Sequence, residues 1–302
     1  MTSRREFLQA AAALAAARNL GAAAGGMYVS LNGSLTGGRP PWPDFARLAA
    51  RVGFGGVDVN LGAATKEGLD ATRALFAEIK IKASNANLPV NFSGAEDVFQ
   101  SGMAKLADAA RFSAGIGCPC LLGILPPSSD TPKPELRTIL KERVTAIGEV
   151  LGRSNLRLSL EFLGPLHFRT QHKYEFIWRM DEALAFAKEC GPHVGLTLDV
   201  WHWYHAGATK ADIVAAGKAR IVHVHLSDAL KMPPEEVRDD HRVLPGEGVI
   251  DLVGFLQTLK QIGYEGGISP EPIGRIPKDT PPELGAELGL ATAQAVMRKA
   301  GI

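Results

Sequence analysis

From Gly26 onward the chain alternates between short apolar runs and longer stretches whose apolar residues recur every three or four positions. The short runs fall at Met27 to Leu31, Gly56 to Asn60, Ile81 to Asn85, Cys120 to Ile124, Arg157 to Phe162, Val194 to Asp199, Ile221 to Leu226 and Gly267 to Glu271. Their length and β-branched content predict eight strands. The longer stretches predict helices over Asp44 to Val52, Lys66 to Ile79, Ala95 to Ile116, Pro134 to Gly152, Met180 to Cys190, Lys210 to Ala219, Asp251 to Ile262 and Pro282 to Lys299. Gly53, Gly117, Gly191 and Gly263 stand where helix C-caps are expected. Strict strand–helix alternation leaves two architectures, a closed (β/α)8 barrel or an open doubly wound sheet. An open sheet usually carries a Gly-rich phosphate turn after its first strand. Here that turn reads Asn32-Gly33-Ser34-Leu35-Thr36-Gly37-Gly38, with neither GxGxxG nor a P-loop. A single α/β barrel is therefore expected.

The residues before the first strand have a different pattern. Ser3-Arg4-Arg5-Glu6-Phe7-Leu8 precedes an Ala-rich run from Ala10 to Ala17 and then Ala22-Ala23-Ala24. A charged start, a short apolar stretch and small residues suited to cleavage predict a signal peptide, and the paired arginines before Phe-Leu resemble the twin-arginine export signal. The domain reading is a twin-arginine-type signal over 1–24 and a catalytic barrel over 25–302. Location is expected to be periplasmic or exported, with no stable membrane association after cleavage.

Composition narrows the partners. In 302 residues, 33 Lys+Arg against 32 Asp+Glu leave a net charge of +1, and 46% of residues are hydrophobic. That is ordinary globular composition, which excludes disordered and fibrous classes. With no basic run, the electrostatic footprint of a nucleic-acid or acidic-membrane binder is missing. A small-molecule partner is expected, and homo-oligomerisation stays open. Cys118, Cys120 and Cys190 are too few and wrongly spaced for a disulfide framework or zinc knuckle, and are read as small buried hydrophobes.

Barrel enzymes place their chemistry at the C-terminal ends of the strands. Four consecutive strands end in metal-binding residues: the fifth in Glu161, the sixth in Asp199, the seventh in His225 and the eighth in Glu271. A ring of three acids at one mouth repels itself unless a cation neutralises it. Three carboxylates and one imidazole suit Mn²⁺, Mg²⁺ or Co²⁺, with Zn²⁺ still open. His223 shares a face with His225 but lies farther from the rim, and is read as a core or supporting histidine. Asp228 is read as orienting a loop or a supporting histidine.

The segments Leu160-Glu161-Phe162-Leu163-Gly164, Leu198-Asp199-Val200-Trp201-His202-Trp203, His223-Val224-His225-Leu226-Ser227-Asp228, Leu244-Pro245-Gly246-Glu247-Gly248 and Ser269-Pro270-Glu271-Pro272 resemble the sugar phosphate isomerase/epimerase family. This is the xylose-isomerase-like TIM barrel group that includes ketose 3-epimerases and inosose dehydratases. The resemblance implies a metal held by Glu161, Asp199, His225 and Glu271, with the two glutamates doubling as the acid/base pair. It also implies that His202 and Arg242 contact substrate oxygens. After Glu161 the chain departs from the epimerase pattern with Phe162-Leu163-Gly164-Pro165-Leu166-His167, so the substrate differs or is held differently. His167 and Trp203 are further candidate substrate contacts.

The ligand set and the resemblance together imply a divalent-metal-dependent isomerase or epimerase. Its substrate would be a keto-sugar or related polyol, and the reaction would run through an enediolate. A leaving group β to the carbanion would make the same site a lyase or dehydratase, acting on a keto-sugar, inosose or 3-keto-glycoside. A non-catalytic sugar-binding barrel is the reading from a different class. An endonuclease-IV-like phosphodiesterase would need extra His ligands and a basic face, and both are lacking.

Overall fold

The computed structural model describes residues 26–38 and 40–302. The expected export segment, 1–24, lies outside them. Eight parallel strands close into a barrel: β1 (Tyr28–Leu31), β2 (Gly56–Val59), β3 (Lys82–Asn87), β4 (Cys120–Leu125), β5 (Arg157–Phe162), β6 (Val194–Asp199), β7 (Ile221–Leu226) and β8 (Gly267–Pro270). Neighbours around the ring run β1-β8-β7-β6-β5-β4-β3-β2, so β1 closes the barrel against β8. The expected strands match within two residues, and six of the expected helices match within one at either end.

Where the helices differ, the cause is local. The stretch read as one helix from Lys66 is two, Leu61–Glu67 and Leu69–Ile79, broken at Gly68 with φ 94°. The first of them starts early because the Asn60 side chain caps it, accepting the Ala63 N–H at 3.1 Å. A further short helix, Val200–His205, begins directly after β6, because Asp199 Oδ1 accepts the N–H groups of Trp201 (2.7 Å) and His202 (3.1 Å). Among the described residues no helix is long and apolar enough to cross a membrane.

Most parallel strands are apolar on both faces, but several here alternate. Leu158, Leu160, Leu196, Leu198, Val224, Leu226 and Ile268 are fully buried apolar positions. The residues between them are polar, and they meet one another across the strands. Ser159 Oγ lies 2.6 Å from Thr197 Oγ1, and the His223 imidazole reaches Asn85 and Ser269. Aliphatic side chains thus form one layer while hydroxyls, an amide and an imidazole form the other. The three cysteines are buried and unpaired, as expected.

Two loops above the C-terminal ends are set by glycines. A Cβ on Gly164 would stand 2.2 Å from the His202 carbonyl oxygen, so only glycine lets the chain after β5 press against the helix after β6. A Cβ on Gly248 would stand 2.3 Å from the Ala229 carbonyl oxygen and 2.5 Å from Asp228 Oδ1, inside the clasp of the loop after β7.

Candidate metal centre

The strand register gathers the acidic residues. Asp199 pairs with His225, His225 with Ser269 and Glu161 with Thr197, so the last polar positions of β5 to β7 and the residue just past β8 lie around one arc of the mouth. One ligand atom each from Glu161, Asp199, His225 and Glu271 lies within 4.8 Å of the others. His225 Nδ1 faces all three acids: Glu161 Oε1 at 2.8 Å, Glu271 Oε2 at 3.2 Å and Asp199 Oδ2 at 3.8 Å. The four residues expected from strand ends are therefore together.

A single guanidinium enters this cluster. Arg242, buried in the loop after β7, donates from Nη1 to Asp199 Oδ2 at 2.6 Å and to Glu271 Oε2 at 3.2 Å. Asp239 in turn accepts from its Nε (3.0 Å) and Nη2 (2.8 Å), and Arg242 Cζ lies 4.7 Å from the Trp201 ring centre. With His225 neutral the three carboxylates outnumber their one guanidinium, which Asp239 also claims, so the cluster keeps an excess of negative charge that a divalent cation would offset. Oxygen-rich donors plus one imidazole also match a hard or intermediate divalent ion. The residues fit such a group.

Protonation follows the same charges. Burial pushes Glu161 up to about 6, against the pull of His225. Burial acts on Asp199 too, but Arg242, His202 and His225 outweigh it and hold that carboxyl below the ordinary range. Burial disfavours a charged His225, yet Glu271 and Glu161 raise its basicity well above an ordinary histidine. A cation and a proton compete for that Nδ1.

His202 lies one turn above Asp199. Arg242 Nη2 can only donate, so the 3.1 Å contact makes His202 Nε2 the acceptor and puts the imidazole proton on Nδ1. Burial and Arg242, against the pull of Asp199, push His202 down to about 3, so it stays neutral, and its buried Nδ1–H has no partner among the described residues. His167 sits on the short turn Leu166–Arg169, its ring 4.0 Å from Phe168, which meets the His202 ring edge-on at 6.0 Å. Its Nδ1 is likewise buried and unpartnered.

Trp203 is not brought to the cluster. It packs edge-on against Phe255 at 5.4 Å and donates its indole N–H to the Thr209 carbonyl at 3.3 Å, in the helix layer. Positions 201 and 203 lie on nearly opposite sides of a helix, and Trp201 is the one that faces Arg242 and His202. His223 is a supporting residue, as read from the sequence: its Nε2 meets Asn85 Nδ2 at 2.6 Å and Ser269 Oγ at 3.0 Å. Asp228 orders the loop, as expected. It accepts the backbone N–H groups of Ala229, Gly246, Gly248 and Ile250 at 2.9 to 3.1 Å, tying both ends of the segment that carries Arg242.

The strand-end rule missed Asp58 on β2. This carboxylate accepts from Ser30 Oγ (2.9 Å), Ser269 Oγ (2.8 Å) and Asn32 Nδ2 (2.9 Å). Asp58, His223 and His225 also approach within 4.8 Å, but that group has one carboxylate already taken by three donors. Val57-Asp58-Val59-Asn60 alternates as Leu198 and its neighbours do, but the acid lies inside its strand, where alternation alone does not mark it as part of a site.

Comparison with known proteins agrees with the fold. Residues 46–299 match the model of the family described as xylose isomerase-like TIM barrel. An inosose isomerase of Halalkalibacterium halodurans is 28% identical over 140 residues, 46% of this chain and 47% of that protein. A 3-dehydroshikimate dehydratase of Pseudomonas putida is 27% identical over 135 residues, 44% of this chain and 20% of that one. The matched segments thus span about half or less of these relatives' own length. Among solved structures, a xylose isomerase domain protein from Alicyclobacillus acidocaldarius superposes with TM-score 0.84 at 29% identity, covering 91% of this chain and all of that one. The chain belongs to the xylose isomerase-like TIM barrel family.

Proposed function

We propose that this protein is a divalent-metal-dependent isomerase or epimerase acting on an unphosphorylated keto-sugar or a ketone derived from a polyol. One observation carries the reading: three carboxylates and His225 Nδ1 converge at the barrel mouth with a charge deficit that a divalent cation fills. Glu161, Asp199, His225 and Glu271 would hold the ion, and the oxygen-rich set favours Mn²⁺ over Zn²⁺. Bound there, such an ion polarises a carbonyl and lowers the acidity barrier of the neighbouring C–H.

The protein's own groups do the rest. Glu161 comes from β5 and Glu271 from the end of β8, the two limits of the four-strand arc, so each addresses the substrate from its own side. A carboxylate oxygen of one removes the proton from the carbon. The other returns a proton from the opposite face for epimerisation, or at the adjacent carbon for isomerisation. Neutral His202 offers its Nδ1–H to a substrate oxygen. Arg242, whose N–H groups are already engaged, holds Asp199 ionised and braces Glu271 and His202 rather than donating to substrate, and His167 closes the outer wall.

The dehydratase relative favours a second reading, elimination from a substrate with a leaving group β to the carbanion. Both readings share proton abstraction and differ in whether water or an aglycone is released. The test is exchange of carbon-bound hydrogen with D₂O for neutral keto-sugars, inososes and 3-keto-glycosides, with added Mn²⁺. Exchange without release supports isomerisation, release supports the lyase, and no exchange with any of them sinks both.

Export by the twin-arginine route, with residues 1–24 removed and 25–302 forming the mature barrel, belongs to the same proposal. It is supported by Ser3-Arg4-Arg5-Glu6-Phe7-Leu8 and the Ala-rich run that follows. Arg4→Lys with Arg5→Lys is expected to leave the precursor in the cytoplasm, and unchanged export would refute it.

A further inference from the structure

Glu161 and Glu271 look equivalent in sequence, each at the end of a strand and each beside His225. Their surroundings differ. Glu271 Oε2 faces His225 (3.2 Å) and Arg242 (3.2 Å), whereas its other oxygen, Oε1, lies 3.5 Å from Asn32 Nδ2. Glu161 has no amide partner of this kind among the described residues; its Oε1 is engaged by His225 at 2.8 Å.

Asn32 is completely specified. Its Oδ1 accepts the Ser34 N–H at 2.8 Å, which fixes which way round the amide sits. The two protons of Nδ2 are then divided, one to Asp58 Oδ2 at 2.9 Å and one toward Glu271. Asp58 is itself immobilised by Ser30 Oγ and Ser269 Oγ on its other oxygen. Ser269 Oγ gives its one proton to Asp58 and can accept from His223 Nε2 at 3.0 Å, so a hydrogen-bonded chain runs from β7 through Asp58 and Asn32 to Glu271. A charge-assisted bond from a buried carboxylate orients an amide better than a neutral partner would. A contact of 3.5 Å is long and shortens when a site takes up its ligands.

We infer that Asp58 is a positioning residue that works through Asn32 to hold Glu271 Oε1 away from the ion, so that Oε2 is the ligand atom and Oε1 the proton-transfer atom. This rests on the reading of Glu271 as both ligand and base. It makes the two glutamates unequal, with one carboxylate oriented by an amide and the other by the ligand histidine.

The test is a double-mutant cycle of Asp58→Asn, Asn32→Ala and both together, with folding checked by thermal unfolding. Two readouts are used: the visible spectrum of the Co²⁺-loaded protein, and D₂O exchange with whichever substrate the wild type turns over. In both single variants we expect the same change of Co²⁺ band intensity, as Glu271 is freed to bind through both oxygens. We expect kcat to fall about 10- to 100-fold with KM little changed, and the double variant to be no worse than the worse single one. A Co²⁺ spectrum unchanged in the singles, or losses in kcat that add in the double, would overturn the inference. If Asp58→Asn does not fold, Asn32→Ala alone decides through the spectrum. If the wild type exchanges no carbon acid, the proposed function fails, and the Co²⁺ spectra still test the link from Asp58 to Glu271.

Discussion

The two halves of the barrel use polar residues differently. From β5 to β8 the polar positions reach the rim as Glu161, Asp199, His225 and Glu271, with a ligand atom of each within 4.8 Å of the others. From β1 to β4 they are mainly hydroxyls and amides, Ser30, Asn32 and Asn85, with one carboxylate, Asp58, saturated by three donors. At its end β4 offers no polar group at all, presenting Ile124 with more than half its surface exposed. Most of the carboxylate charge is thus gathered on one side of the mouth, and the other side supplies hydroxyls and amides around the single carboxylate of Asp58. A ligand is held electrostatically by one half and shaped by the other.

The largest effect that would break this contrast comes from the charged half. Glu161→Gln or Glu271→Gln is expected to lower D₂O exchange about 10²- to 10⁴-fold, and chelation to abolish it. Exchange retained in both variants would remove the acid/base assignment.

Next comes the cation between the halves. Arg242→Ala leaves the buried Asp199 and the half-buried Glu271 without their guanidinium, which for Asp199, by analogy with broken buried pairs, costs about 3–5 kcal/mol. Urea unfolding of the metal-free protein measures this, and saturating Mn²⁺ should recover part of it. A loss below about 1 kcal/mol would show that the cluster is solvated after all.

A smaller effect is expected where the loop is pinned. Asp228→Asn keeps one acceptor oxygen and loses the other, leaving backbone N–H groups unsatisfied at about 1–3 kcal/mol. It should raise KM more than it lowers kcat, because Arg242 is carried on that loop. A variant with unchanged KM would show that Arg242 is placed independently of the clasp.

The smallest effect is a pH dependence away from the ligands. Burial, then the charge of Arg242, pushes His205 down to about 4. A histidine with a lowered folded value binds fewer protons than the unfolded chain between about 4 and about 6.5, so stability rises with pH across that window. Relative to His205→Gln, the wild type should lose stability as pH falls from 7 to 4.5. Parallel urea-unfolding curves for the two proteins over that range would contradict the burial argument.

How much of this the sequence showed depends on what kind of signal each residue carried. The strands were legible because their apolar positions recur in short runs, and the four clustered candidates because each falls within a residue of a strand end. Asp58 was not, because it sits within a strand, where a polar residue has no meaning until its neighbours across the register are known. Trp201 and Trp203 could not be told apart by eye. Only the helix that Asp199 initiates turns one toward Arg242 and the other toward Phe255. The break at Gly68 was missed because a glycine inside an amphipathic stretch reads as tolerated until its φ is seen.

The seam at which β1 meets β8 has a kinetic consequence. Asn32 and Glu271 are 239 positions apart in the chain, and Asp58 and Ser269 are 211 apart, so the last ligand is oriented only after the ends of the polypeptide have found each other. Contacts of such sequence separation form late in folding, after their loop-closure entropy has been met by other structure. High-affinity uptake of a divalent ion would therefore mark the final closure of the ring. A spectroscopically visible metal would clock that step directly, separately from the growth of helix and strand content before it.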